Sequence, residues 1–169
     1  MTLEGKVALV TGAGQGVGQG IALALASEGA RVAVTGRTYA KLETTCELIQ
    51  QRGGEALPVL CEVKSDESLA ACVDTVTDHF GGLQILVNNA QEVPLGTLEQ
   101  VSDDAFVAGL ESGPLATFRM MKHCYPHLKG DGCIINLGSS SAKRWDVNGF
   151  GPYAATKEAI RALSRACLL

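Results

Sequence analysis

Val7-Ala8-Leu9-Val10-Thr11-Gly12-Ala13-Gly14-Gln15-Gly16-Val17-Gly18-Gln19-Gly20-Ile21-Ala22 is the stretch on which the fold turns. A short apolar run that ends in glycines reads as a strand buried on both faces. Ile21, Leu23 and Leu25 then begin a helix that lies on a sheet. Between the two, glycines permit a tight turn and let a ligand come close to bare main chain. The helix start leaves N–H groups unpaired at the positive end of its dipole. Strand, turn and helix start together make a seat for a phosphate or pyrophosphate. The spacing G-x-G-x-x-G fits in no register, because position 17 is Val and position 19 is Gln. The pattern is Thr11-Gly12-x-x-x-Gly16-x-Gly18.

Further along, apolar strands alternate with helix-length segments, the signature of α/β layering. Strands are predicted at 31–35, 56–61, 84–88 and 132–137. Thr38 is expected to cap a helix running to about Gln51, ended by Gly53-Gly54. Ser65 opens another, with Asp66 and Glu67 in its first turn and a close near Gly81-Gly82. A long helix is expected over 103–128, and a last one begins near Pro152 and runs on to Leu169. Pro58 suits an edge strand. Right-handed crossovers then give a doubly wound, Rossmann-like parallel sheet ordered 3-2-1-4-5 in an α/β/α sandwich. Ligands bind where that order reverses, at Thr11-Gly12 and Asn88-Asn89-Ala90.

The 169 residues predict one domain with a substantial core. Hydrophobic content is 46%, charged content 19% and net charge −4, with a pI near 5.3. That balance gives no basic footprint for nucleic acid or an anionic membrane. No apolar run reaches membrane-span length, and residues 1–6 lack the apolar core of a signal peptide. Cys46, Cys61, Cys72, Cys124, Cys133 and Cys167 are scattered without a C-x-x-C pair, so they are expected to be reduced core residues of a cytoplasmic protein. No metal site is expected: His123 and His127 stand four apart with no third ligand in view, and read as surface or hydrogen-bonding histidines.

Two groups of residues select the ligand and the chemistry. Gly36-Arg37 follows the second strand, where an acidic residue would accept from the ribose hydroxyls of NAD. A small residue and a guanidinium suit a 2′-phosphate instead, which favours NADP(H) over NAD(H). The other reading of Arg37 is a strand-end side chain facing water. Glu62 either accepts from the adenine amino group or is a solvated carboxylate. Tyr153 and Lys157 stand four apart on the last helix and share a face. Tyr ordinarily titrates near 10, and a nearby ammonium favours its phenolate, making it a usable proton donor and acceptor. Ser139, Ser140 and Ser141 follow the fifth strand at the same edge of the sheet, where a hydroxyl could hold a carbonyl. The P-loop spacing G-x-x-x-x-G-K-[ST] is absent, which disfavours a phosphate-seat hydrolase.

With Thr11-Gly12-x-x-x-Gly16-x-Gly18, Asn88-Asn89-Ala90, Ser139 and Tyr153-x-x-x-Lys157 in this order, the chain resembles the short-chain dehydrogenase/reductase family from Leu3 onward. The resemblance implies hydride transfer between a nicotinamide cofactor and a small-molecule alcohol or carbonyl. It makes Tyr153 the general acid/base. Lys157 would lower the pKa of Tyr153 and hold the nicotinamide ribose, while Ser139 would orient the carbonyl. Counting back from Tyr153 permits Ser140 in place of Ser139. The cofactor-binding set it implies is Gly12, Gln15, Gly16, Val17, Gly18, Arg37, Glu62, Val63 and Asn89, with Tyr153 and Lys157. A homodimer or homotetramer is implied too, through helices beside the fifth strand. Phe106, Leu110, Leu115, Phe118, Met120 and Met121 look like core or subunit interface.

Three departures from the family pattern stand out. Gln91 replaces the Gly that completes N-N-A-G. The family's relay Asn is missing, and Gly113 of Ser112-Gly113-Pro114 falls in its place. Pro114 should kink the helix and free the Leu110 carbonyl, so that carbonyl or the Ser112 hydroxyl is expected to hold a relay water. Finally, family members continue past the last helix, so the chain is expected to be incomplete at its C-terminus. A noncatalytic dinucleotide-binding or interaction module is the competing reading. Trp145 could line a substrate pocket or anchor its loop.

Overall fold

A computed structural model describes residues 2–128, 130–143 and 148–166. Trp145 and Cys167 lie outside these. Five strands form one sheet in the order 3-2-1-4-5: β1 (Val7–Thr11), β2 (Arg31–Gly36), β3 (Ala56–Leu60), β4 (Ile85–Asn88) and β5 (Cys133–Asn136). Every neighbouring pair is parallel, with Val7 opposite Arg31, Ala8 opposite Ile85, and Ile85 opposite Cys133. Pro58 sits in β3, at an edge, as its missing N–H requires.

The inner strands are apolar on both faces because helices cover both. Ala8 and Val10 join Val32, Val34, Leu42 and Ile49 under α1 (Gly16–Ser27) and α2 (Tyr39–Gln50). Val7 and Leu9 join Leu69, Val76, Met120 and Leu128 on the opposite side. That side is covered by α3 (Asp66–Phe80) and α5 (Ala116–Leu128), with α6 (Gly151–Ala166) beside β5 and α4 (Asp103–Leu110) packed on α6. Helix α1 buries its small residues Gly18, Ala22 and Ala26, at i, i+4 and i+8, while Ile21, Leu23 and Leu25 pack half-buried against the same core.

Local chemistry sets most boundaries. The Ser65 hydroxyl accepts from Ser68 N–H at 3.1 Å, and Gly81 ends α3 in the left-handed region at φ 79°. Thr38 precedes α2 as expected, but its side chain makes no capping bond; its main-chain carbonyl accepts from Lys41 and Leu42 N–H instead. The helix expected over 103–128 is not continuous. A π turn, Glu111–Leu115, separates α4 from α5, because Pro114 has no N–H to pair with the carbonyl four residues earlier. Ala116 N–H reaches back five residues to the Glu111 carbonyl.

The apolar residues expected to be core or subunit interface divide between buried and exposed. Met120 and Met121 are buried, whereas Leu115 and Phe118 are exposed, Phe118 by 47%. Cys46, Cys61, Cys72 and Cys124 are buried, but Cys133 is exposed because β5 is an edge strand. No described helix is long and apolar enough to cross a membrane.

Candidate active site

The glycine turn and the end of β4 are joined at the carboxyl edge of the sheet, and Lys157 is tied to Leu137 just past β5. Thr11 is the hub. Its hydroxyl accepts from Asn89 N–H (2.9 Å) and Ala90 N–H (3.0 Å), while the Asn89 amide donates to the carbonyls of Thr11 (2.9 Å) and Gly12 (3.3 Å). The end of β4 is thereby sewn to the glycine turn. Gly16, at φ +58°, takes a backbone conformation that other residues resist. Gly18 is needed for a different reason: a Cβ there would stand 2.4 Å from the Gly12 carbonyl oxygen and 2.5 Å from the Asn89 amide nitrogen. The first turn of α1 thus rests directly on β1, its unpaired N–H groups opening into a cavity of about 380 Å³.

That cavity is lined by Gly12, Gln15, Gly16, Val17, Gly18, Arg37, Glu62, Val63 and Asn89, all expected to face a cofactor. It is also lined by Gly36, Thr38, Lys41, Cys61, Gln91, Glu92 and Ser112. Lys41 donates to the Gln15 side chain at 2.6 Å and adds a second cation near Arg37. Its place four residues after Arg37, near the start of α2, was the signal that could have found it. Arg37 is 62% exposed in its side chain and bridges two carboxylates, Glu92 at 3.4 Å and Glu62 at 3.7 Å. Lys64 reaches Glu92 at 3.0 Å. Such exposed pairs contribute about 0–1 kcal/mol each, so they leave Arg37 available to a stronger anion. Glu62 also accepts from Lys64 N–H at 3.2 Å. A glycine-turn cradle and a bare helix start fit a dinucleotide diphosphate.

Tyr153 and Lys157 stand on α6, and neither lines this cavity. The Lys157 ammonium lies 5.7 Å from the centre of the Tyr153 ring and donates to the Leu137 carbonyl at 2.6 Å. Leu137 N–H in turn donates to the Asn88 carbonyl, so β4 and β5 position both residues. Ser139 and Ser141 hydroxyls share a hydrogen bond of 2.6 Å, and Ser141 N–H donates to Ser139 Oγ at 3.2 Å. Ser139 is therefore an oriented hydroxyl, while Ser140 is exposed. The Ser112 hydroxyl does not fit the expected relay: it donates to the Ala108 carbonyl (2.7 Å) and accepts from Glu92 N–H (2.9 Å), pinning the loop after β4 to the π turn.

Lys157 is 5% exposed, and burial pushes its ammonium down to about 8 from an ordinary 10.5. Below pH 8 both folded and unfolded states carry the proton, and the folded state bears the full cost of up to about 3 kcal/mol. Between pH 8 and 10.5 the unfolded state binds more protons, so this cost fades as pH rises. Lys157→Met should accordingly be more stable than the parent at pH 7 in urea unfolding, with the gap closing by pH 11. A gap independent of pH would contradict the burial cost.

His123 Nε2 donates to the Asp66 carboxylate at 2.9 Å, a hydrogen bond that holds the Asp66 carboxyl below its usual range. Among the described residues no three His, Cys, Asp or Glu are grouped to hold a metal.

The sheet order, glycine cradle and Tyr–Lys pair define a Rossmann-like nucleotide-binding domain. The chain belongs to the short-chain dehydrogenase family, whose model, described as short chain dehydrogenase, matches residues 6–168. It is 40% identical over 171 residues to a 12alpha-hydroxysteroid dehydrogenase of Clostridium sp., with 96% of this chain and 66% of that protein covered. It superposes on a short-chain dehydrogenase/reductase from Serratia marcescens with a TM-score of 0.93 and 33% identity, covering 98% of this chain and 68% of that one. A metagenomic short-chain oxidoreductase solved in complex with NADP gives a TM-score of 0.90 at 32% identity, covering 98% and 76%. The chain spans just under two thirds of the length of the curated relatives it matches.

Proposed function

We propose that this chain carries the cofactor seat and the reacting side chains of an NADP(H)-dependent oxidoreductase acting on an alcohol or carbonyl. The observation that carries the reading is the pairing of Lys157 with Tyr153 on α6, anchored to the same sheet edge that closes the glycine cradle. Bound in this seat, the nicotinamide cofactor would give the hydride to the carbonyl carbon in reduction and accept it from the alcohol carbon in oxidation. Gly12, Gln15, Gly16, Val17, Gly18 and Asn89 would hold its diphosphate half, and Val63 and Glu62 its adenine. Tyr153 gives a proton to the carbonyl oxygen in reduction and takes it back in oxidation. The Lys157 ammonium would stabilise negative charge developing on the phenol oxygen and would hold a ribose hydroxyl. Ser139, oriented by Ser141, donates to the carbonyl and aligns it.

The cations Arg37 and Lys41 that line the cavity support NADP(H) over NAD(H). Arg37→Asp should reverse the preference by about 100-fold, read as the ratio of NADPH and NADH dissociation constants, since a charge-assisted phosphate contact is replaced by repulsion. An unchanged ratio would remove Arg37 from this role. NADPH oxidation with a panel of carbonyl compounds tests the reaction itself. Cofactor binding without turnover on any of them would leave a dinucleotide-binding module. The exposed apolar row Val107, Leu115 and Phe118 supports pairing into a homodimer or homotetramer through this face.

A further inference from the structure

Two departures from the family pattern meet in space. Gln91, just past β4, lays its side chain over Gly113 of the π turn: a Cβ on Gly113 would stand 2.8 Å from Gln91 Nε2 and 3.0 Å from Cδ. Gln91 Nε2 donates to Thr156 Oγ1 at 2.5 Å, and Thr156 Oγ1 donates to the Tyr153 carbonyl at 2.7 Å. Because that hydroxyl uses its proton on Tyr153, only lone pairs face Gln91, so the amide must present nitrogen to it. The other amide atom, Oε1, is buried and has no donor among the described residues. A buried acceptor of this kind calls for a partner, and an ordered water is the usual one.

Lys157, the next residue along α6, has the opposite surplus. Its ammonium has three N–H donors, and one goes to the Leu137 carbonyl. Of the carboxylates on neighbouring elements, Glu92 is paired with Arg37 and Lys64, and Glu111 of the π turn is exposed. Glu158 pairs with Arg161 through Oε2, while its buried Oε1 has no donor among the described residues.

We propose that Gln91 is a positioning residue for the Tyr153–Lys157 pair, tying the end of β4 to α6 through Thr156 and holding on Oε1 a water hydrogen-bonded to the Lys157 ammonium. This rests on the reading of Tyr153 and Lys157 given above. Gly113 is the complementary half, since any side chain there would displace the carboxamide.

The test is the titration of Lys157, followed by NMR on ¹⁵N-lysine-labelled protein and assigned with Lys157→Met, which needs no turnover. Gln91→Met keeps the length but removes the acceptor, and should lower the Lys157 midpoint by about one pH unit. Gln91→Glu, isosteric with Gln, should raise it by about as much or more. In activity, Gln91→Met should lower kcat by about tenfold with KM little changed. Unmoved midpoints in both variants, with melting as in the parent, overturn the proposal. If Gln91→Met does not fold, Gln91→Glu decides alone, and no rise contradicts it. A shifted Lys157 midpoint combined with turnover insensitive to Tyr153→Phe would sink the oxidoreductase reading and leave the positioning role standing. The reverse combination would sink only the positioning role.

Discussion

Tyr153→Phe is expected to lower kcat for NADPH-dependent carbonyl reduction by about 10³-fold while leaving NADPH affinity within about twofold. The substitution removes one oxygen and keeps the ring that packs edge-on against Phe150 and under the Lys157 ammonium. The helix is held by other contacts: Thr156 to the Tyr153 carbonyl and Lys157 to Leu137. None of these uses the phenol oxygen. The fold and the cradle around Gly18 should therefore persist, and the loss should fall on the proton-transfer step. Equal loss in binding and turnover would mean that the phenol serves the cradle rather than the reaction.

Gly18→Ala should cost the cofactor seat about 100-fold in NADPH affinity and the fold about 1–3 kcal/mol. The added methyl would sit 2.4 Å from a main-chain carbonyl and 2.5 Å from an amide already bonded to Thr11 and Gly12. Neither neighbour is the free end of a flexible chain. Helix α1 must back away from β1, carrying off the N–H groups that face the cavity. Gly20, two residues on and with open space where its Cβ would be, is the control. Gly20→Ala should leave affinity unchanged and stabilise the helix by about 0.5–1 kcal/mol. Equal responses at the two positions, measured by NADPH titration and thermal melting, would contradict this.

The contrast between these glycines marks what the chain discloses in one dimension. Strand order, the glycine turn and the Tyr–Lys spacing are periodic or local, and the pattern reveals them. Thr38 shows a limit even of local reading: a capping residue type stands where α2 begins, yet its hydroxyl makes no cap bond. Phe118 and Met121 are equally apolar on one helix, and only the placement of α3 against α5 decides which is buried. At Pro114 a kink was foreseeable, but a π turn that pins Ser112 to the loop after β4 was not. Gln91 and Gly113 each looked like a lost family residue. Their relation is a contact between segments 22 positions apart, and neither residue type announces it. The carboxylates around Arg37 belong to the same class, since Glu62 and Glu92 come from different loops.

The central claim is that the cavity over the glycine turn and the phenol on α6 serve one bound cofactor. A crystal structure of this chain with NADP⁺ tests it most directly. The diphosphate should lie on the N–H groups of Gly16 to Gly18, with the Tyr153 oxygen and the Lys157 ammonium beside the nicotinamide riboside. A nucleotide seated in the cradle with Tyr153 turned to bulk solvent, or a nucleotide bound elsewhere, would contradict it.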